Sequence, residues 1–535
     1  MLPTVVENQK QPKDTAKLQD LFGAIVPTFS DLSFLLPILV LFSCTTGTGW
    51  LFSDSDTGWH IRTGEWILIN GRVPTVDMFS FTKIGQPWIA WEWLSDAIMA
   101  IVHRAWGLAS VAWLVLLVLG ATSRSIYRGT LGVCGHRLIA FALTWLAMAA
   151  STVHWLARPH LVTPLMAALF CRILYSAEKK GTPAWLWVLP PLTMVWTNLH
   201  AGFFVGIALI STYAIGAAAE ELIHGSRQNA WARSQNYVVA AVGCVLASFV
   251  NPYGCRLHMH IVQYLGNSFY FERISEFQSI DFHSYTAAYF ETLLILAIAA
   301  ALWHLGSRRL IHALLLLSWS HLALFSARNI PIFAVTVVPS VGLAIREWLD
   351  QEASLLPRRF KENIEQLECD LRLIANRRNR RARHSLPVLA ALLVAFLLVH
   401  PGHSKALRGG FDHEHFPVEA AGFLSQQRWA SPLRLYTSWQ WGGYLIYRLW
   451  PSIFVFDDGR TDFYGPRFVE EGLRTWNVSP DWREVLERYG INAALVPVDS
   501  SLASVLRERP EWRPVYQDHI AVLFAKVEKA EGNCN

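Results

Sequence analysis

Asp54 and Asp56 stand two residues apart just after an apolar run, in the stretch Asp54-Ser55-Asp56-Thr57-Gly58-Trp59-His60-Ile61-Arg62-Thr63-Gly64-Glu65-Trp66. Carboxylates so spaced can converge on one hard cation or on one cationic transition state. In a partly dehydrated site their repulsion raises one pKa, which a bound metal or a basic partner relieves. Asp54 and Asp56 are therefore candidate catalytic groups and candidate ligands of a divalent cation, Mg or Mn. The bland alternative is a solvated loop with an Asp helix cap. His60 and Arg62 in the same stretch are candidate substrate ligands. Glu92, between two tryptophans in Trp88-Ile89-Ala90-Trp91-Glu92-Trp93-Leu94, is a candidate second acid, because apolar surroundings raise a carboxyl pKa toward acid–base usefulness. An interfacial Glu reaching for water explains it equally well.

Polar groups recur in four further short stretches: Arg158-Pro159-His160, Asn198-Leu199-His200-Ala201-Gly202, Asn251-Pro252-Tyr253-Gly254 and Ser326-Ala327-Arg328-Asn329. Arg offers a bidentate fork and His a titratable donor, which together suit a phosphate or pyrophosphate. Arg158, His160, Asn198, His200, Arg328 and Asn329 are the candidate substrate-binding residues. Any one of them alone is better explained by snorkelling or helix capping. What unites them is the side of the membrane on which the chain's elements place them.

Those elements follow from composition. Hydrophobic residues make up 53% of the 535 and charged ones only 16%, too little polar surface to cover a single soluble core. The chain is expected to be an α-helical integral membrane protein with about eleven transmembrane helices. Apolar runs lie near 33–52, 108–123, 138–154, 160–176, 184–198, 202–219, 237–250, 286–305, 310–326, 330–345 and 386–400, several of them short for a bilayer. With a cytoplasmic N-terminus, the inside loops hold 22 Lys and Arg against 8 outside, the asymmetry that orients membrane proteins. The candidate residues then share the extracytoplasmic side of the inner membrane.

The expected organisation is a cytoplasmic segment 1–32, a transmembrane core 33–345 with an outer loop 53–107, a basic cytoplasmic loop 346–385, a last span 386–400, and a soluble extracytoplasmic α/β domain 403–535. Strands are predicted at 433–439, 453–457, 493–498, 514–516 and 521–527, with helices near 441–449, 466–476, 481–489 and 500–508. Leu94 to Trp106 is amphipathic and is expected to lie in the membrane interface. The run Arg377 to Arg383 reads as a topology anchor beside anionic membrane lipids rather than a nucleic-acid site, and no nucleic-acid partner is expected. Seven Cys without a CxxC pair argue against structural zinc and a disulfide framework. No cleavable signal peptide is read at the N-terminus.

The pattern resembles the GT-C type of membrane glycosyltransferase, the superfamily of oligosaccharyltransferases, protein O-mannosyltransferases and bacterial lipid A aminoarabinose transferases. It is most similar to an uncharacterised bacterial branch whose first loop reads like Asp54 to Trp66, continues as Asn70-Gly71-Arg72-Val73-Pro74 and Asp77-Met78-Phe79-Ser80, and then carries Trp88 to Leu94. Trp439-Gln440-Trp441-Gly442-Gly443-Tyr444 and Asp457-Asp458-Gly459-Arg460-Thr461-Asp462 also resemble that branch, as a structural turn or a ligand site. The resemblance implies a sugar donor carried on a polyprenyl phosphate, transfer on the extracytoplasmic face, and a lipid, glycan or protein acceptor. Asp54 and Asp56 match the acidic motif, and Glu92 falls in the region of the second acidic position. On this reading an Asp deprotonates the acceptor or holds a cation that does so, while Arg158, His160, His200 and Arg328 stabilise the departing phosphate. No WWDYG-like motif stands in the C-terminal part, which argues against an Asn-sequon oligosaccharyltransferase. The rival readings are a transporter or flippase of a lipid-linked saccharide, which requires alternating access, and a non-catalytic membrane scaffold.

Overall fold

The computed structural model describes residues 28–181, 183–223, 225–351, 358–376, 393, 410–429 and 431–527. Apart from Leu393, the expected last span and the arginine run 377–383 lie outside the described residues. Every earlier apolar run falls on helix. In chain order these are α1 (Phe29–Cys44), α2 (Asp56–Asn70), α3 (Trp93–Trp106), α4 (Leu108–Cys134), α5 (Arg137–Ser151), α6 (Val162–Lys180), α7 (Leu189–Leu199), α8 (Phe204–Ile223) and α9 (Arg227–Ser248). The loop 251–285 contains α10 (Cys255–Leu265) and α11 (Ser268–Arg273), and after it come α12 (Ala287–Gly306), α13 (Leu310–Phe325), α14 (Ile330–Gln351) and α15 (Arg358–Asn376).

Six helical stretches, Leu108–Cys134, Arg137–His154, Pro159–Lys179, Ala201–Ile223, Ala287–Gly306 and Ala327–Gln351, are long and apolar enough to cross a bilayer, and the chain is a multi-pass membrane protein. Phe29–Cys44 and Leu310–Phe325 are apolar but shorter. The α14 helix is the most enclosed of the long ones, packing against α4, α5, α12 and α13. The amphipathic stretch becomes α3, which buries Ser95, Asp96, Ala97, Met99 and Ala100 and exposes Ile98, Ile101 and Trp106.

The C-terminal part is α/β, and all the predicted strands form. β1 (Arg434–Thr437), β2 (Phe454–Val455), β3 (Ala493–Pro497), β4 (Trp512–Gln517) and β5 (Ala521–Lys526) make one sheet in the order β2-β1-β3-β5-β4. Strand β1 runs parallel to β2 and β3, while β5 is antiparallel to both β3 and β4. The helices of this part include α16 (Val418–Gln426), α17 (Trp439–Leu449), α18 (Thr461–Tyr464) and α19 (Pro466–Trp476).

This part is stitched to the first long loop. Phe81 N donates to Val455 O at 3.1 Å and Val455 N to Phe79 O at 3.2 Å, so loop residues extend the sheet beside β2. The Trp450 indole donates to Met78 O at 2.8 Å and Thr82 Oγ1 to Phe456 O at 2.7 Å. Helix α17 lies directly on α2. A Cβ on Gly58 would overlap the Gly443 carbonyl, and one on Gly443 would overlap that of Ser55, so two glycines on facing helices set the closeness of this approach.

Candidate functional site

Where α2 begins, Asp54 Oδ1 accepts from the Asp56 amide at 2.8 Å, which turns both carboxylates the same way. The chain crosses back after α5 and delivers Arg158 between them. Its Nη1 lies 2.7 Å from Asp54 Oδ2 and 3.3 Å from Glu276 Oε1, and its Nη2 lies 3.1 Å from Asp56 Oδ2. Glu276 comes from the 251–285 loop and also meets Arg328 Nε at 3.3 Å. Arg328 rests over the Phe277 ring, 4.5 Å from its centroid. One guanidinium thus gathers three carboxylates.

These carboxylates differ by environment. Burial, with the adjacent charge of Asp54, pushes Asp56 up to about 7 against the pull of Arg158. Burial acts on Glu276 too, but Arg158 and Arg328 outweigh it and hold that carboxyl at about 2.

Glu92 sits at the start of α3 between two imidazoles. Its Oε1 is 3.3 Å from His200 Nε2 and its Oε2 is 3.6 Å from His60 Nε2. The tautomer of His200 follows from its neighbours: Nδ1 accepts from the Gly202 amide at 3.0 Å and meets Thr163 Oγ1 at 2.8 Å, so the ring proton is on Nε2, toward Glu92. Burial first, then Arg328 and Arg158, holds His200 down at about 3, so it is a neutral donor. Behind it, His60 Nδ1 and Asp96 Oδ1 are 2.6 Å apart and fully enclosed. Burial raises Asp96 and lowers His60, which makes them a neutral couple in which the Asp96 hydroxyl donates to Nδ1. Burial also pushes Glu92 up to about 8, Arg158 opposing it.

The C-terminal part supplies the remaining wall. Gly459 lies so close to Asp56 that a Cβ there would overlap Oδ1. Arg460, 2% exposed, is bonded to Asp458 through Nε (2.7 Å) and Nη2 (2.6 Å) and to Asp77 of the first loop at 2.8 Å. The rings of Trp88, Phe79, Phe463, Tyr464 and Trp59 surround it within 4.6–5.9 Å. Asp462 faces His260 Nε2 at 2.9 Å.

These groups surround or support one cavity of about 490 Å³. At its polar end stand Asp56, Glu92, Arg158, His200, Arg328 and Asp462; its other walls are apolar, from Leu119, Ile126, Met148, Val205 and Val335. Phe204, Leu265, Leu322 and Phe325 line it and are also exposed on the outer surface.

Of the residues expected at the site, Asp56, Glu92, Arg158, His160, His200, Arg328 and Asn329 line this cavity. Asp54 stands behind Arg158, and His60 behind Glu92. His160 is committed on one side, its Nε2 bonded to the His154 carbonyl at 2.9 Å, with Nδ1 buried and unpartnered among the described residues. Asn329 lends its amide to the Leu322 carbonyl.

Two expectations require correction. Arg62 does not reach the cavity: its Nε donates to the Tyr447 carbonyl and its Nη1 to Glu65, which makes it a clamp between α2 and α17. Asn198 accepts from the Trp93 indole and donates to Met194 O and Val250 O, joining α7 to α3 and to the end of α9. The polar capacity of both is spent on backbone and side chains already present.

Glu276 and Asp96 were not foreseen as parts of the site. Arg158 and Arg328, with no acid assigned to them, were the signal that a counter-charge such as Glu276 was needed. The Asp457 to Asp462 stretch fills both readings open to it: Arg460 is a structural clamp and Asp462 a cavity wall.

As arranged, these residues do not form a divalent-cation site. The expected ligands Asp54 and Asp56 are neutralised by the Arg158 guanidinium that lies between them, and among the described residues no group of three or more His, Cys, Asp or Glu could hold a metal ion.

No protein-family profile matches the chain, and no curated protein matches it in sequence. Solved structures do resemble it. The oligosaccharyltransferase of Archaeoglobus fulgidus in the apo form aligns with a TM-score of 0.51 at 11% identity, over 91% of this chain and 70% of that one. The archaeal oligosaccharyltransferase AglB from Archaeoglobus fulgidus, in complex with an inhibitory peptide and a dolichol-phosphate, gives 0.53 at 11% identity, over 90% and 70%. ArnT from Cupriavidus metallidurans bound to undecaprenyl phosphate gives 0.46 at 15% identity, over 94% and 97%. The likeness to the first two is one of fold.

Proposed function

We propose that this chain is a glycosyltransferase that moves a sugar from a polyprenyl-phosphate-linked donor to an acceptor hydroxyl on the extracytoplasmic face of the membrane. The observation that carries the reading is the single cavity. Carboxylates, guanidinium groups and imidazoles line it together with an apolar wall of Leu119, Ile126, Met148, Val205 and Val335, and beside the polar groups Phe204, Leu265, Leu322 and Phe325 reach from its lining to the outer surface. A lipid with a phosphorylated sugar at its head combines those two chemistries. Support also comes from the dolichol-phosphate held by the archaeal enzyme of the same fold. The clustering of polar groups at one end favours transfer over a flippase, which needs access from both faces.

Asp56 is the base in this scheme. Ionised, it takes the acceptor O–H proton as that oxygen attacks the anomeric carbon, and the bond from carbon to phosphate oxygen breaks with its electron pair going to the phosphate. Arg328, the free edge of Arg158 and the Nε2–H of His200 stabilise the charge that develops there, the term of greatest weight in a water-poor site. Asp54 orients Arg158, and Glu92 holds the ring proton of His200 in line. No step runs through a metal.

The test is transfer from a radiolabelled polyprenyl-phosphate sugar by the purified protein in lipid nanodiscs. Asp56→Asn is expected to lower turnover by more than about a hundredfold. Turnover by that variant close to that of the parent would remove the assignment.

A further inference from the structure

On the side of the cavity made by the C-terminal part, a group of residues remains that the transfer scheme does not use. Trp91 and Tyr264 line the cavity with rings 5.8 Å apart, edge to face. His260 packs against Trp91 at 5.0 Å and meets Asp462 Oδ2 at 2.9 Å. The second oxygen of Asp462 has no hydrogen-bonding partner among the described residues. Tyr270 donates to the Thr461 carbonyl at 3.3 Å, which fixes the loop that carries Asp462.

We infer that this wall is the acceptor subsite and that the acceptor it takes is a saccharide. The inference rests on the transfer reading and names the acceptor's chemical class. A pyranose has a face of C–H bonds and a rim of hydroxyls. An aromatic ring carries negative charge on its face, which attracts the C–H side. A carboxylate with a free oxygen accepts strongly from the hydroxyl rim. Trp91 and Tyr264 supply the first interaction and Asp462 the second, and His260 keeps the Asp462 carboxylate oriented. A peptide acceptor would call instead for backbone partners along an extended groove, whereas this wall offers aromatic faces and charged tips.

Saturation-transfer NMR tests the subsite on the full-length protein in lipid nanodiscs without donor. The probes are p-nitrophenyl β-D-glucopyranoside, β-D-galactopyranoside and α-D-mannopyranoside, with a short Ser/Thr peptide as the contrast. The expected result is transfer to the ring protons of at least one glycoside and none to the peptide. Asp462→Asn and Trp91→Leu, prepared as folded variants that elute as the parent does, are each expected to weaken the glycoside's Kd by about tenfold. Silence from all three glycosides, equal signals in both variants, or peptide binding that depends on Asp462 would overturn the assignment. Binding of polyprenyl phosphate is measured separately; its loss with glycoside binding intact counts against the donor side of the transfer reading and not against this subsite.

Discussion

Arg158 decides the chemistry of its neighbours. Because its guanidinium meets Asp54, Asp56 and Glu276 at once, removing it leaves three carboxylates to repel one another in a site poor in water. Arg158→Ala is expected to abolish transfer, while the parent enzyme keeps its rate in excess EDTA; a chelator that stops the parent would show that a cation, not the guanidinium, does this work. The pH dependence has a definite sign. Asp56 must be ionised to act as a base and burial holds it near 7, so kcat/KM should rise through about pH 7 and level off above. Since Asp54 contributes to that elevation, Asp54→Asn should move the inflection to lower pH; a flat parent profile between about pH 5 and 9 would refute the role. Glu92 behaves oppositely for stability. Its folded pKa, raised from 4.5 to about 8, means the folded state binds the proton more tightly than the unfolded one. Stability is therefore full below about 4.5 and is lost as pH rises through 8, and Glu92→Gln should flatten that decline in thermal-unfolding midpoints. At this scale Asp54, Asp56, Arg158, His200 and Arg328 were legible from type and position near span ends. Glu276 and Asp96 were not, because a carboxylate in a long loop or on an amphipathic helix looks like a solvated one until its partner is in place.

Among the elements, the period of the apolar residues told helix from strand correctly, and every predicted strand of the C-terminal part is present. What periodicity could not convey is which elements touch. Arg460 and Asp77 are 383 residues apart, and nothing local to either names the other. Three glycines stood within the quoted motifs, yet their purpose lies in the facing surface: Gly58 and Gly443 bring α17 onto α2, and Gly459 brings the C-terminal loop against Asp56. Gly459→Ala should therefore displace the catalytic carboxylate and lower turnover by about a hundredfold or more. Normal membrane insertion and a single elution peak are expected for it, and unimpaired transfer by this variant would show that the loop does not bear on Asp56. Arg62 was misjudged for a similar reason. A cationic side chain nearly two turns past an acidic pair looks like a ligand, but the helix carries it to another face, where the Tyr447 carbonyl waits.

For the whole molecule, the polar groups gather at the ends of α5, α7 and α13 and at the start of α2, while Glu368 of α15 meets His136 and Arg137 at the other end of α5. That polarity supports the proposed orientation and gives it a test. Cys255 and Cys369 are both exposed. In single-cysteine versions of the protein in intact cells stripped of their wall, a membrane-impermeant maleimide should label Cys255 and spare Cys369; the reverse pattern would invert the topology. The cavity wall formed by Gly459 to Asp462 has a bearing on biogenesis as well. Translation reaches that loop only after α1 to α14 have all been made, so a nascent chain is a binding chamber with one side missing. On the proposed reading, a carrier lipid meets a closed chamber only once residues 459–462 are in place, which ties the onset of transfer to the folding of the C-terminal part.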